Sequence, residues 1–345
     1  MKLVESDGPS TPNHTVFKPS APTIASKWDD RPETRRFGVQ PARLPEWLRK
    51  SLSSGHQAAQ TDALIGDLSL NTICESGRCP NRNECYSQKT ASFMILGDRC
   101  TRNCHYCSVA PGKPLPPDPA EPANLAEAVH RLGLEHVVVT SVTRDDLEDE
   151  GLGHFELVAR ALRARVPNLI LEVLTPDFKR DQERAVAALI KLPIDIFNHN
   201  IETTRSIHKR VRPQGGYDLS LNLLKRMRQS APDRITKSGA MLGLGETREE
   251  VLQMLADLRD AGCRMLTLGQ YLQPDRTACP VERFVTPEEF DEYRSEAEQM
   301  GFELVESGPF VRSSYHAKDS FVKLRSLMRN VRESRSSSAP LTEAH

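Results

Sequence analysis

Neither sign of charge predominates in this sequence: 46 lysines and arginines stand against 47 aspartates and glutamates. A chain so balanced has no overall field to draw it to nucleic acid or to an anionic membrane, which leaves only a local basic patch for such a role. Long apolar runs are missing as well, since none approaches the roughly 20 residues needed to span a bilayer. The N-terminus lacks the basic-then-apolar order of a secretory signal, and Glu5 and Asp7 argue against a transit peptide. Together these absences predict a soluble, cytoplasmic protein with no nucleic-acid or membrane partner. In that compartment thiols stay reduced, and grouped cysteines bind metal more often than they form disulfides.

What the chain does have is 345 residues, enough to bury a large core. Residues 1–38 mix Ser, Pro, Thr and charge without a usable period and read as a disordered arm, as does the tail over 334–345. A short helix is expected around Trp47-Leu48, in an extension over 39–90. From Ser92 the pattern becomes regular. Apolar, strand-like runs at Ser92 to Leu96, Val137 to Val142, Leu169 to Leu174, Ile194 to Phe197, Ala240 to Leu244 and Met265 to Leu268 are each followed by a stretch of helical period. The first of these helices is expected over Asn124 to Leu134. Thr247 with Glu250 spells a capping box, and Thr286-Pro287-Glu288-Glu289 puts proline at a first helical position. Such alternation implies parallel strands joined by right-handed crossovers. Six βα units fall short of the eight of a closed barrel, so the expected fold is α/β, a partial (β/α)6 TIM-like barrel over 91–301 with N- and C-terminal extensions, the latter over 302–333. In such folds reactive groups gather at the C-terminal ends of the strands.

Six of the eight cysteines fall between Cys74 and Cys107 in two groups of three. The first is Cys74-x4-Cys79-x5-Cys85; the second is Cys100-Thr-Arg-Asn-Cys104-His-Tyr-Cys107, directly after the first strand. Three thiolates leave one corner of a cubane iron–sulfur cluster open, and an open iron can bind substrate, cofactor or an unusual protein ligand. Zinc is the competing reading. Structural zinc sites favour pairs of C-x2-C knuckles, and only Cys104 and Cys107 make one. Cys263 and Cys279 stand alone and read as two ordinary cysteines.

The C-x3-C-x2-C loop after the first strand resembles the hallmark loop of radical S-adenosylmethionine (SAM) enzymes. The first triplet, together with Arg312-Ser313-Ser314-Tyr315, makes the resemblance specific to the lipoyl synthase family, over roughly residues 45–320. Tyr106 stands where that family usually has Phe, Tyr86 where Trp is common, and Cys279 at a position where cysteine is not expected. The resemblance implies two [4Fe–4S] clusters: one on Cys100, Cys104 and Cys107 that chelates SAM, and an auxiliary one on Cys74, Cys79 and Cys85 with Ser314 as its fourth ligand, in preference to Ser313. It further implies that SAM-derived 5′-deoxyadenosyl radicals take hydrogen from C6 and C8 of an octanoyl chain, and that the auxiliary cluster is sacrificed as the sulfur source.

By the same resemblance, polar strand ends contact SAM: Thr140 and Ser141 after the second strand, Asn200 and Glu202 after the fourth, and Gly243 after the fifth, where a plain turn is the alternative. Gly269 to Pro274 should line the substrate channel, and the basic run His208 to Pro213 docks a carboxylate or acidic carrier, or is simply solvated. The implied partners are the octanoylated lipoyl domain of 2-oxoacid dehydrogenase E2 subunits or the glycine cleavage H protein, a ferredoxin or flavodoxin-type electron donor, and iron–sulfur assembly or carrier proteins. An RNA-modifying radical SAM enzyme would share the second cysteine loop but should bring a basic domain. A non-catalytic iron–sulfur or zinc module would not need six βα units.

Overall fold

The computed structural model describes residues 44–49, 56–88 and 91–312, with 323, 326 and 329. The expected arm and tail, Ser313, Ser314, Tyr315 and most of the C-terminal extension lie outside the described residues. A 3-10 turn at Glu46–Leu48 is followed by α1 (His56–Asp67), α2 (Ile73–Ser76) and α3 (Arg82–Ser87). Then come β1 (Ser92–Ile95), the short pair β2 (Arg99–Cys100) and β3 (Ala110–Pro111), α4 (Glu121–Leu132), β4 (His136–Ser141), α5 (Leu152–Arg165) and β5 (Ile170–Leu174). The chain continues through α6 (Gln182–Leu189), β6 (Ile196–Asn198), α7 (Arg205–Val211), α8 (Tyr217–Ser230), β7 (Ile235–Leu242), α9 (Arg248–Asp260), β8 (Met265–Gln270), α10 (Pro287–Gln299) and β9 (Leu304–Gly308).

The main sheet runs in the order β1-β4-β5-β6-β7-β8-β9, with every neighbouring pair parallel. Strands follow one another in chain order, so each crossover helix packs on the same side and the sheet stays an open partial barrel with β1 and β9 at its edges. The β1 edge is covered by the N-terminal segment, through an antiparallel bridge between Thr72 and Phe93 and a 2.9 Å bond from the Met94 N–H to the Asn71 carbonyl. Both spelled helix starts are real: Thr247 and Glu250, and Thr286 and Glu289, form reciprocal capping boxes.

All six expected strands are present, and β9 extends the sheet past residue 301. It was illegible because Leu-Val-Glu-Ser-Gly holds only two apolar residues. Likewise β7 begins at Ile235 rather than Ala240, since Thr236, Lys237 and Ser238 interrupt the apolar run yet are buried. The helix expected from Asn124 starts at Glu121, whose buried carboxylate accepts from the Leu96 N–H at 2.9 Å and lies 2.6 Å from His154 Nε2.

Strand alternation builds the barrel interior in tiers. Ile170, Ile196, Ile235, Met265 and Leu304 form an apolar floor separate from the main core. Two residues along the strands, Glu172 accepts from Lys237 Nζ at 2.9 Å and from Asn198 Nδ2 at 2.6 Å, with His136 Nε2 at 3.3 Å. Two residues further, Leu174, Asn200, Gly239 and Gly269 line a cavity. The other face of the sheet carries the main core, where Val137, Val139, Leu171 and Phe197 meet Leu125, Val129, Phe155 and Leu162.

Burial alone would raise the Glu172 carboxyl, but Lys237 and His136 outweigh it and hold it at about 2, below the ordinary 4.5. A folded value below the unfolded one contributes stability above the ordinary value and loses it as pH falls toward 2. Breaking the pair leaves a buried charge uncompensated, so Lys237→Met should cost ~3 to 5 kcal/mol at neutral pH. Urea unfolding measured from pH 7 down to 3 should show that deficit narrowing as Glu172 becomes protonated. A deficit independent of pH would remove the ion pair as its cause.

Candidate active site

The tier above the Glu172 layer opens, at the C-terminal ends of the strands, into a cavity of about 460 Å³ lined by all six clustered cysteines. The first triplet is shaped by helix ends. Thr72 caps α2 by accepting from the Glu75 N–H at 3.2 Å, which sets Cys74 in the first turn. Arg78 takes a left-handed conformation (φ 49°) that turns the chain into Cys79, and α3 carries Cys85. Two bonds tie this segment to distant strand ends: Arg78 Nη1 donates to the Pro274 carbonyl at 3.1 Å, and Asn81 Nδ2 to the Phe310 carbonyl at 2.7 Å.

The second loop leaves β2. Cys100 Sγ accepts backbone N–H bonds from Arg102 (3.4 Å) and Thr143 (3.3 Å), and Cys107 Sγ accepts one from Val109 at 3.4 Å. Backbone bonds clamp the loop middle: the His105 N–H donates to Val211 O at 2.8 Å, and His105 O accepts from the Cys279 N–H at 2.7 Å. The unexpected Cys279 is buried in the strap that holds this loop.

A charge network that sequence patterns did not reveal lies behind the loop. Arg102 spans Asp145 at 2.9 Å and the fully buried Asp177 at 2.7 Å, and Arg212 reaches Asp177 at 3.4 Å. The acidic loop Arg144-Asp145-Asp146 therefore serves arginines of its own chain. The basic run is split: His208 and Arg212 are buried, whereas Lys209 and Arg210 are exposed. Arg212 Nη1 donates to Ser220 Oγ at 3.1 Å, and Ser220 Oγ lies 2.9 Å from His199 Nε2. His199 Nδ1 is 2.9 Å from the Thr175 carbonyl, which can only accept, so Nδ1 carries the proton and Nε2 accepts from Ser220. Burial and the neighbouring Arg212 push this ring down to about 4, which keeps it neutral.

Of the five residues expected to meet SAM, Thr140, Ser141, Asn200 and Glu202 line the cavity, and Gly243 does not. Gly243 sits in a left-handed turn whose N–H is held by Glu246, and a Cβ there would collide with Gln270 and Arg283. Packing alone thus requires a glycine there. Ser141 Oγ, Asn200 Oδ1 and Thr175 Oγ1 are buried in the cavity wall with no hydrogen-bond partner among the described residues. Thr175 was missed because it follows an apolar strand end without a second polar residue beside it. Glu202 has φ 72°, fixed by its N–H bond to Gly239 O and by the Met241 N–H on its own carbonyl. Burial raises its carboxyl, while Arg212 and hydrogen bonds from Tyr106 and Asn200 act against the rise. The tyrosine that replaces the expected phenylalanine thus has a polar partner. From the expected channel, Gly269, Tyr271, Leu272, Gln273 and Pro274 line the cavity.

This donor set fits iron–sulfur clusters and a polar cofactor. None of the cysteines is joined in a disulfide. Burial, then the neighbouring thiols, raises Cys74 and Cys104 to about 11 and Cys107 to about 12. Such thiols become thiolates only when a cation occupies the site, which a cluster supplies. The three unpaired wall oxygens call for a polar occupant, since burying them dry is costly.

An open parallel barrel with a C-x3-C-x2-C loop facing a polar cavity at its strand ends is the construction of the radical SAM superfamily, whose family model matches residues 94–258. Lipoyl synthase from Methylococcus capsulatus is 52% identical over 277 residues, covering 80% of this chain and 86% of that protein. Lipoyl synthase from Pasteurella multocida is 50% identical over 276 residues, with coverage of 79% and 86%. Among solved structures, the FeFe-hydrogenase maturase HydG from Carboxydothermus hydrogenoformans is similar at a TM-score of 0.46 and 14% identity, covering 78% of each chain. This chain belongs to the lipoyl synthase family: it is a radical SAM enzyme that inserts sulfur, and it works with SAM and two [4Fe–4S] clusters. Among the described residues no helix is long and apolar enough to cross a membrane.

Proposed function

We propose that Cys100, Cys104 and Cys107 hold the cluster that binds SAM, and that Cys74, Cys79 and Cys85, with Ser314, hold the auxiliary cluster. The observation that carries this division is that two thiol triplets from separate segments open onto one cavity whose wall also presents unpaired polar atoms. The reaction is insertion of two sulfur atoms at C6 and C8 of an octanoyl chain on a lipoyl carrier protein. An alkane C–H offers no acidic proton and no leaving group, so acid–base residues cannot start it; the clusters and SAM supply the radical and the sulfur.

The chain's own residues bind, orient and exclude water. Ser141, Thr175 and Asn200 hydrogen-bond the polar groups of SAM, with Thr140 beside them, and the Glu202 carboxylate takes its ammonium or a ribose hydroxyl. Arg102, Asp145, Asp177 and Arg212 hold the second loop rigid from behind. Gly269 to Pro274 shape the channel for the acyl chain. Residues 39–90 form the auxiliary-cluster extension, and the barrel proper begins at 91. The octanoylated carrier is a lipoyl domain of a 2-oxoacid dehydrogenase or the glycine cleavage H protein; a ferredoxin or flavodoxin-type donor provides electrons, and iron–sulfur carrier proteins rebuild the spent cluster. The setting is the cytoplasm.

Mass spectrometry of an octanoylated lipoyl-domain peptide, incubated anaerobically with enzyme, SAM and dithionite, should register a gain of two sulfurs; an unchanged octanoyl mass refutes the reaction. Asn200→Ala should weaken SAM binding roughly tenfold, the worth of one or two hydrogen bonds. Equilibrium dialysis that returns wild-type affinity removes Asn200 from the cofactor site.

A further inference from the structure

Where β5 and β6 part to open the cavity, a side chain takes over from the sheet. Their parallel register ends with Leu174 opposite Asn198, and the Thr175 N–H adds one more backbone bond, to Asn198 O at 3.0 Å. The Thr175 carbonyl, the next acceptor in line, is met by the imidazole of His199, whose Nδ1 lies 2.9 Å away. Thr175 is thereby bracketed by two consecutive residues at the end of β6, and both Thr175 and His199 line the cavity.

The imidazole is itself set from behind, in one direction. Arg212 can only donate, and its Nη1 donates to Ser220 Oγ at 3.1 Å. The one Ser220 hydroxyl proton then serves the 2.9 Å contact with His199 Nε2, which has to accept, so the other ring nitrogen carries the proton toward the Thr175 carbonyl. In the opposite tautomer two acceptors would face each other at Thr175. A brace keeps the chain of bonds aligned: Gln182 Nε2 donates to the Asp177 carbonyl at 2.9 Å and to the Leu219 carbonyl at 2.8 Å, tying the first turns of α8 to the loop after β5. His199 and Ser220 are buried, so a bond lost from this chain leaves a buried polar group unpaired. An apolar side chain could pack the same strand end. What the imidazole adds is a directed donor at the carbonyl where the backbone ladder stops.

We infer that His199, held in its Nδ1–H tautomer by Ser220, is a positioning residue for the SAM-facing wall: it supplies the rung that β5 and β6 lack and so fixes Thr175 at the cofactor site. The inference rests on the reading that Thr175 and Asn200 bind SAM. His199 touches no reacting atom in this role and passes no proton.

The test uses the full chain, reconstituted anaerobically with iron and sulfide, and follows 5′-deoxyadenosine formation under dithionite as SAM is varied. His199→Asn keeps an amide N–H where Nδ1 stood and should hold KM for SAM within about twofold of wild type. His199→Gln carries its amide one bond further out, toward Ser220, and should raise KM roughly tenfold while kcat changes by less than about threefold. Ser220→Ala releases the other tautomer and should raise KM by about three- to fivefold. A merely structural role would lower kcat and bound iron together in both His199 variants. A glutamine variant with wild-type KM overturns the inference, as do asparagine and glutamine variants that behave alike, whether both are active or neither retains a cluster. Wild-type KM in Ser220→Ala overturns the part given to the tautomer. Asn200→Ala in the same assay separates the two levels: wild-type KM there means that the SAM-binding wall is misread, whereas a raised KM there beside an unchanged one in His199→Gln overturns the role of His199 alone.

Discussion

Cys104→Ala should abolish both 5′-deoxyadenosine formation and sulfur insertion, reducing each to the level of a control without enzyme. Cys104 sits mid-loop between a residue bonded to Val211 and the paired Arg102. Two thiolates do not retain a cubane against solvent, so the loss should be complete rather than graded. Liquid chromatography of SAM reactions with dithionite gives the readout. Substantial 5′-deoxyadenosine from this variant means that SAM is cleaved elsewhere and the second loop has been misassigned.

The complementary result is expected of Cys79→Ala. SAM cleavage should stay within roughly twofold of wild type, because the two triplets come from separate segments and share no ligand. Sulfur insertion should vanish, and bound iron should fall from about eight to about four atoms per chain, one cubane's worth. Lipoyl formation at the wild-type rate in this variant would falsify the division of labour between the triplets. Measured together, the two variants separate the radical-generating loop from the sulfur-donating one, which neither alone can do.

The reactive elements were legible because their chemistry imposes spacing. A loop that must present three thiolates to three corners of one cubane leaves a fixed pattern in the chain, and the proposed assignment of Cys100, Cys104 and Cys107 rests on that pattern. Apolar periodicity revealed the six strands on the same principle, since each must bury its faces in a parallel sheet. Where burial was achieved by pairing rather than by apolarity, the pattern went silent. The start of β7 at Thr236 and Lys237 was hidden in this way, as was Glu121 at the head of α4, which looks like a surface residue but holds the Leu96 N–H. At Gly243 the sequence left a turn and cofactor approach side by side, and the close packing against Gln270 and Arg283, which demands a glycine, was not legible in it.

By itself, then, the sequence determined the family, the alternation of strand and helix, and the two groups of thiols, because these depend on residue type at short chain separation. Tertiary structure alone decided that both groups face one cavity, that Arg212 leaves a basic run to join Asp177 and Arg102, and that Arg312 reaches across to the Gln270 carbonyl. Those are contacts between residues far apart along the chain, and no local period encodes which charge will find which partner once the strands have set their ends side by side.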